Sequence, residues 1–102
     1  GLIATCYVRS RGSDLRALLE EHYAESHVVS VLPEGAVPEL SRVQATDAAE
    51  IGVFEDRLTG STVLVCAIDN LGKGAAGQAI QNVNLLYGYE ETAGLRLAGV
   101  LV

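Results

Sequence analysis

The residues best placed to do chemistry lie together in Ala67-Ile68-Asp69-Asn70-Leu71-Gly72-Lys73-Gly74-Ala75-Ala76-Gly77-Gln78, where an apolar strand pattern runs into a glycine-punctuated turn. Gly72-x-Gly74-x-x-Gly77 has the form of a dinucleotide fingerprint, whose glycines permit a tight turn and close approach of the backbone to a pyrophosphate. The surroundings fit that fingerprint poorly. Its first glycine should follow the strand almost at once, and an acid about twenty residues later should grip a ribose. Here Asp69-Asn70-Leu71 intervene, and the chain ends on a strand-like segment with no acid at its tip. The alternative is structural: Asp69 or Asn70 caps a helix while Gly74, Ala75, Ala76 and Gly77 let its first turn pack closely on a sheet. Lys73 then lies at the positive end of the helix dipole, an unfavourable place unless an anion or Asp69 neutralises it.

From Gly74 through Tyr89 there is no Asp, Glu, Lys or Arg. Ala76, Ala79, Ile80, Val83 and Leu86 recur at the helical period and form one apolar face, while Gln78, Gln81, Asn82 and Asn84 form the other. Neutral amides hydrogen-bond without the desolvation penalty of a full charge, so this helix suits partial burial against a ligand or another domain. The other reactive residue types carry less. His22 and His27, five residues apart, diverge on or beyond one helix, so no metal site is expected. Cys6 and Cys66 sit inside strand-like apolar runs without a base or a Cys-x-x-Cys partner and are expected to be buried free thiols. A Walker loop is excluded because Gly74 follows Lys73 where Ser or Thr is needed.

Leu2 to Arg9 reads as a strand, and Ser13 as the cap of a helix with Leu15, Leu18, Leu19 and Tyr23 on its apolar side. Val28 to Leu32 is a short strand stopped by Pro33, and Glu34 to Leu40, with Gly35 and Pro38, is a surface loop. Arg42 to Ala45 is expected to be a short strand. Ile51 to Glu55 and Ser61 to Ile68 flank Asp56-Arg57-Leu58-Thr59-Gly60 as a β-hairpin with Gly60 available for positive φ. A helix of about Gly74 to Leu86 follows, stopped at Gly88, and Leu95 to Val102 is a last strand or an apolar tail. This order predicts a single α+β domain over residues 1–102, with a mixed, largely antiparallel sheet and helices packed on one face.

The 102 residues carry a formal net charge of -6 and are 49% hydrophobic, which fits one folded domain with a modest core. Seven Lys and Arg against thirteen Asp and Glu argue against a nucleic-acid partner. No apolar run approaches the ~20 residues of a membrane span and no signal pattern opens the chain, so a cytoplasmic location is expected. With no Met, the chain is expected to be a segment of a longer protein.

The run Ala67 to Leu85, continued by Gly88 and Glu91-Thr92-Ala93-Gly94-Leu95, resembles the C-terminal signature of N-acetyl-γ-glutamyl-phosphate reductase, in the aspartate-semialdehyde-dehydrogenase-like superfamily. Gly1-Leu2-Ile3-Ala4-Thr5 is similar to the strand after that family's catalytic-histidine region, Val31-Leu32-Pro33-Glu34-Gly35 to its loop, and Glu50-Ile51-Gly52-Val53 to its hairpin. The resemblance implies the distal part of an NADP-dependent reductase of arginine biosynthesis. That part is an α+β substrate and dimerisation domain like the C-terminal domain of glyceraldehyde-3-phosphate-dehydrogenase-like reductases. Residues of about 70–88 would return toward a Rossmann domain beside the cofactor. The partners it implies are the missing N-terminal Rossmann and catalytic part, a second copy in a homo-oligomer, and a small acyl-phosphate substrate.

The family's thiol nucleophile and histidine base lie upstream in motifs this sequence does not contain, so no catalytic residue is nominated and the chain alone is expected to be inactive. Gly72 replaces the aliphatic residue usual before the lysine, and Glu90 stands where proline is common. Carried over by position, the cofactor-facing candidates are Asn70, Lys73, Gly74 and Gln78. Two other readings remain open: a stand-alone interaction or dimerisation module, and a small dinucleotide-binding domain using the glycine turn directly.

Overall fold

Leu2–Val8 and Thr62–Ile68 are rich in β-branched residues, and in the computed structural model, which describes residues 1–98, they pair as strands β1 and β4. The pairing is antiparallel over their full length, with Leu2 opposite Ile68 and Val8 opposite Thr62. Strand β3, Ala49–Glu55, lies antiparallel on the other side of β4, and the short β2, Val29–Val31, adds parallel to β3. The sheet therefore has four strands in the order β1-β4-β3-β2. The β3–β4 hairpin forms as expected. Its loop closes through Gly60 N–H to the Asp56 carbonyl, 2.8 Å, with Gly60 at φ +69°.

Helix α1, Gly12–His22, covers one face at β2 and β3. Ser13 does not cap it: Arg11 holds the N-cap position and Ser13 lies inside the first turn. A tertiary clamp fixes the start instead. The Arg16 guanidinium donates to the carbonyls of Leu32, 2.6 Å, just after β2, and Val53, 2.9 Å, inside β3, so the register of the helix is set by both strands. Leu15, Leu19 and Tyr23 turn inward as the period requires, whereas Leu18 is 61% exposed.

The chain from Pro33 onward crosses the opposite face, that of Glu50 and Gly52, since successive residues of β3 alternate in direction. Here the expected strand at Arg42 to Ala45 is replaced by a single helical turn, α2, Leu40–Val43. The reason is local anchoring. Arg42 Nε donates to Glu50 Oε1, 2.8 Å, and its Nη2 to the Val37 carbonyl, 2.7 Å, while Val43 is buried and Ala45 ends the turn at φ +58°.

Val28, Val43, Ala49, Val53 and Ala67 form the core. Edge strand β1, by contrast, is exposed from Leu2 through Tyr7. Of the last strand or apolar tail expected over Leu95 to Val102, no strand forms over 95–98, and residues 99–102 lie outside the described residues. Among the described residues no helix is long and apolar enough to cross a membrane.

Gly52 is where the crossing loop meets the sheet. A Cβ there would stand 2.7 Å from Pro38 Cδ and 2.9 Å from the Phe54 ring, so Gly52→Ala should lower unfolding free energy by about 1–3 kcal/mol through overpacking. Urea denaturation monitored by circular dichroism checks this; an unchanged midpoint would show that Pro38 does not press on the strand.

Candidate functional site

Strand β4 ends at Ile68, and the next residue organises everything that follows. The Asp69 carboxylate accepts from the backbone N–H groups of Gly72, 2.7 Å, and Leu71, 3.0 Å, through Oδ2, and from Ala45, 3.1 Å, through Oδ1. These bonds, that from Gly72 foremost and then that from Ala45, hold its pKa below the ordinary 3.8. Leu71 holds the N-cap position of the turn, not Asp69 or Asn70 as expected, but Asp69 accepts from its first N–H groups and also ties the turn to the segment after α2.

The helix does not begin at Gly74. Residues Gly72–Ala76 wind as a π-helical turn, and α3 runs over Gly77–Leu86. The wide turn is closed by bonds from Gly74 N–H to Asp69 O, 2.9 Å, from Ala76 N–H to Leu71 O, 3.1 Å, and from Gly77 N–H to Gly72 O. It wraps over the chain's own Thr46-Asp47 corner. A Cβ on Gly72 would fall on the Thr46 carbonyl oxygen, and one on Gly77 on the Asp47 carboxylate. Gly74 is less confined, with Asp69 O 3.2 Å and Ile68 Cδ1 3.3 Å from its would-be Cβ. None of the three glycines has positive φ. Close packing, and not a left-handed bend, requires Gly72 and Gly77.

The direct dinucleotide reading loses its basis here. The N–H groups of Gly72, Lys73, Gly74, Ala76 and Gly77 are bonded inside the fold, to Asp69, Thr46, Asp69, Leu71 and Gly72 respectively, so they do not point at a phosphate. Strand β4 is antiparallel to both neighbours, and α3 is followed by no strand among the described residues, so the βαβ unit is missing.

Lys73 turns back along the helix. Its Nζ donates to Gln81 Oε1, 2.7 Å, and Gln81 Nε2 donates to Glu91 Oε1, 2.7 Å, so a neutral amide relays between the ammonium and a carboxylate. Asp69, one of the two groups expected to neutralise this cation, an anion being the other, is committed to backbone N–H groups. Burial pushes the Lys73 pKa down against the opposing pull of Glu91 and Asp47. Gln78 Nε2 donates to Asn82 Oδ1, 3.0 Å, on the exposed side of α3, and Asn70 is exposed at the turn.

The buried residues of α3 are Gly77, Gln81 and Asn84. Its apolar stripe faces outward instead: Ile80 is 42% exposed, Val83 46% and Leu86 80%. The helix ends with Tyr89 N–H bonded to Asn84 O, 2.8 Å, across Gly88 at φ +73°, the stop expected of that glycine. Tyr87 and Tyr89 then stack in the open, ring centroids 6.2 Å apart.

Sequence reasoning missed Thr46 and Asp47, which carry no signal of a role 26 to 30 residues downstream, and Glu91 as the partner of Gln81. The lone acid pair Glu90-Glu91 after a charge-free helix was the available hint. Cys6, expected to be buried, is exposed because no helix among the described residues packs extensively over β1, whereas Cys66 is half-buried and burial pushes its thiol pKa up. His22 packs edge-on against Tyr23, centroids 4.7 Å apart. Among the described residues no three His, Cys, Asp or Glu side chains converge as metal ligands.

Comparison with known proteins adds a family. The model of the semialdehyde dehydrogenase dimerisation domain matches residues 1–70. N-acetyl-gamma-glutamyl-phosphate reductase of Jannaschia sp. (strain CCS1) is 46% identical over 100 residues, covering 98% of this chain and 29% of that protein. The reductase of the same name from Paracoccus denitrificans is 41% identical over 98% of this chain and 29% of its own length. That from Geobacter metallireducens is 46% identical over 93% of this chain, again 29% of its own length. The chain thus spans under a third of the relatives it matches. The glycine turn and α3 lie beyond the span of the family model but within that shared with the relatives.

Because the folded Asp69 pKa lies below 3.8, its contribution to stability is complete above that value and is lost as pH falls through the lower, folded one. Asp69→Ala should therefore be less stable than the parent chain at about pH 6, and the two should converge near about pH 2. Parallel thermal melts across that range test it; a gap that persists at the acid end would mean the carboxylate charge is not what holds the turn.

Proposed function

This chain belongs to the semialdehyde dehydrogenase family, whose dimerisation domain it matches over residues 1–70, and from that membership we propose that it is the C-terminal part of a reductase of N-acetyl-γ-glutamyl phosphate. The reaction is reduction of the acyl phosphate to the semialdehyde, in arginine biosynthesis, with NADP as cofactor. The observation that carries this reading is the likeness to reductases of that name along nearly the whole chain. The thiolate nucleophile and its base belong to the remainder of the enzyme, so these 102 residues alone are inactive.

A nicotinamide cofactor supplies the hydride when bound. The contribution of this chain is to face it with the end of the glycine turn. Asn70, Lys73 and Gln78 offer two amides and an ammonium, and Gly74, exposed and without a side chain, leaves the backbone approachable. Lys73 fits the role because an ammonium has three N–H donors and one is used on Gln81. With the backbone N–H groups engaged internally, recognition of nicotinamide or phosphate falls to these side chains. The outward apolar stripe of α3 then meets the Rossmann part. Self-association uses the sheet edge, where Leu2, Ile3 and Tyr7 of β1 stand 44%, 49% and 77% exposed.

Lys73→Ala in the complete enzyme should weaken NADPH binding by about 1–2 kcal/mol, the scale of one charge-assisted hydrogen bond. It is a cleaner probe than Gly74→Val, whose side chain would press on Asp69 O and Ile68 whether or not a cofactor binds. Titration calorimetry giving unaltered affinity together with a raised melting temperature would refute the cofactor role. Sedimentation of the chain should show a dimer, and a strict monomer at high concentration would count against the oligomer.

A further inference from the structure

Helix α3 is held in an unusual way. Its extensive contacts with other elements are confined to the π-helical turn before it, and none of its large apolar side chains is buried. What covers its inner side is the chain that follows. Asn84 Nδ2 donates to the carbonyls of both Glu91 and Ala93, each at 2.9 Å, and Gln81 Nε2 donates to the Glu91 carboxylate. The segment then reaches Asp47, where a reciprocal pair closes it. Asp47 N–H donates to Arg96 O, 2.7 Å, and Arg96 N–H donates to Asp47 Oδ2, 2.7 Å.

We infer that residues 91–96 form a polar latch, running from Asn84 near the end of α3 back to Asp47 at its base, and that this latch sets the direction in which the helix and its apolar stripe point. Asp47 acts at two points. Its carboxylate packs against Gly77 at the start of α3 and also receives the end of the latch, so the helix is pinned at its first turn and again through Gln81 and Asn84. Within the latch, Ala93 N–H bonds to Glu90 O and Leu95 N–H to Thr92 O, and Gly94 takes φ +77°, so the segment has its own turns.

A latch made of amides opens differently from a packed core. Gln81 and Asn84 are 8% and 5% exposed with the latch closed, and on release both can hydrogen-bond to water, so opening need not involve the sheet. The strands keep their own hydrogen bonds, and the Arg16 and Arg42 clamps do not touch the latch.

Hydrogen exchange on the full chain tests this. Asn84→Asp removes both donors and sets a carboxylate against two carbonyl oxygens in the same volume. Amides of Ala93, Leu95 and Arg96 should then exchange about tenfold faster or more, with those of β3 and β4 unchanged. Arg96→Pro deletes the N–H at the far end without altering the helix, and should release the amides of Ala93 and Leu95. Unchanged exchange at Ala93 and Leu95 in both variants would overturn the latch. Loss of sheet protection along with it would overturn it equally, because the segment would then be part of the core.

Discussion

One carboxylate joins the two halves of this fold. Asp69 bonds Ala45 on one side and the first N–H groups of the π-helical turn on the other, so residues 24 apart in sequence are fixed at a single point. That point lies where β4 ends, and the Thr46-Asp47 corner beside it forms the surface on which the turn winds. Bare backbone at Gly72 and Gly77 lets the approach be close. Were either position to carry a side chain, the turn would have to lift off the corner, and the path of everything after residue 72 would change.

The sheet itself is unevenly dressed. Its β2–β3 side is clamped by Arg16 from α1 on one face and by Arg42, Pro38 and α2 on the other, and four of the five core residues are in or beside these elements. Its β1 side is open from Leu2 to Tyr7. A domain that covers both faces of its sheet on the β3 side and leaves β1 exposed, with a helix whose apolar stripe also faces out, is organised around contacts beyond its own core. Family membership and surface agree on that point.

Much of this was readable from residue order. β-Branched runs marked β1, β3 and β4, Gly60 marked the hairpin, and a helical period marked α1 and α3. The failures share one cause, which is that the deciding partner is distant in sequence. Four residues of α2 are too few to show a period, and they are helical because Arg42 finds Glu50 and Val37. The glycine turn showed that something approaches closely, but only the structure reveals that the chain's own corner does so. The pattern of α3 showed two faces without saying which was inward; Glu91, Ala93 and Asp47 decided that. The Asn70, Lys73, Gly74 and Gln78 candidates remain a proposal drawn by position, with Lys73 now seen to share its ammonium with Gln81.

The amide underside of α3 carries a thermal consequence. Attraction between apolar groups fades on cooling, and its loss on exposure leaves a large heat-capacity change and a steep response to denaturant. An attachment built from Gln81, Asn84 and Asp47 bonds exposes little hydrocarbon when it parts. Its opening should therefore be nearly flat in heat capacity and weakly dependent on urea, so that in the cold, where the sheet loses part of its own cohesion, this arm holds its place.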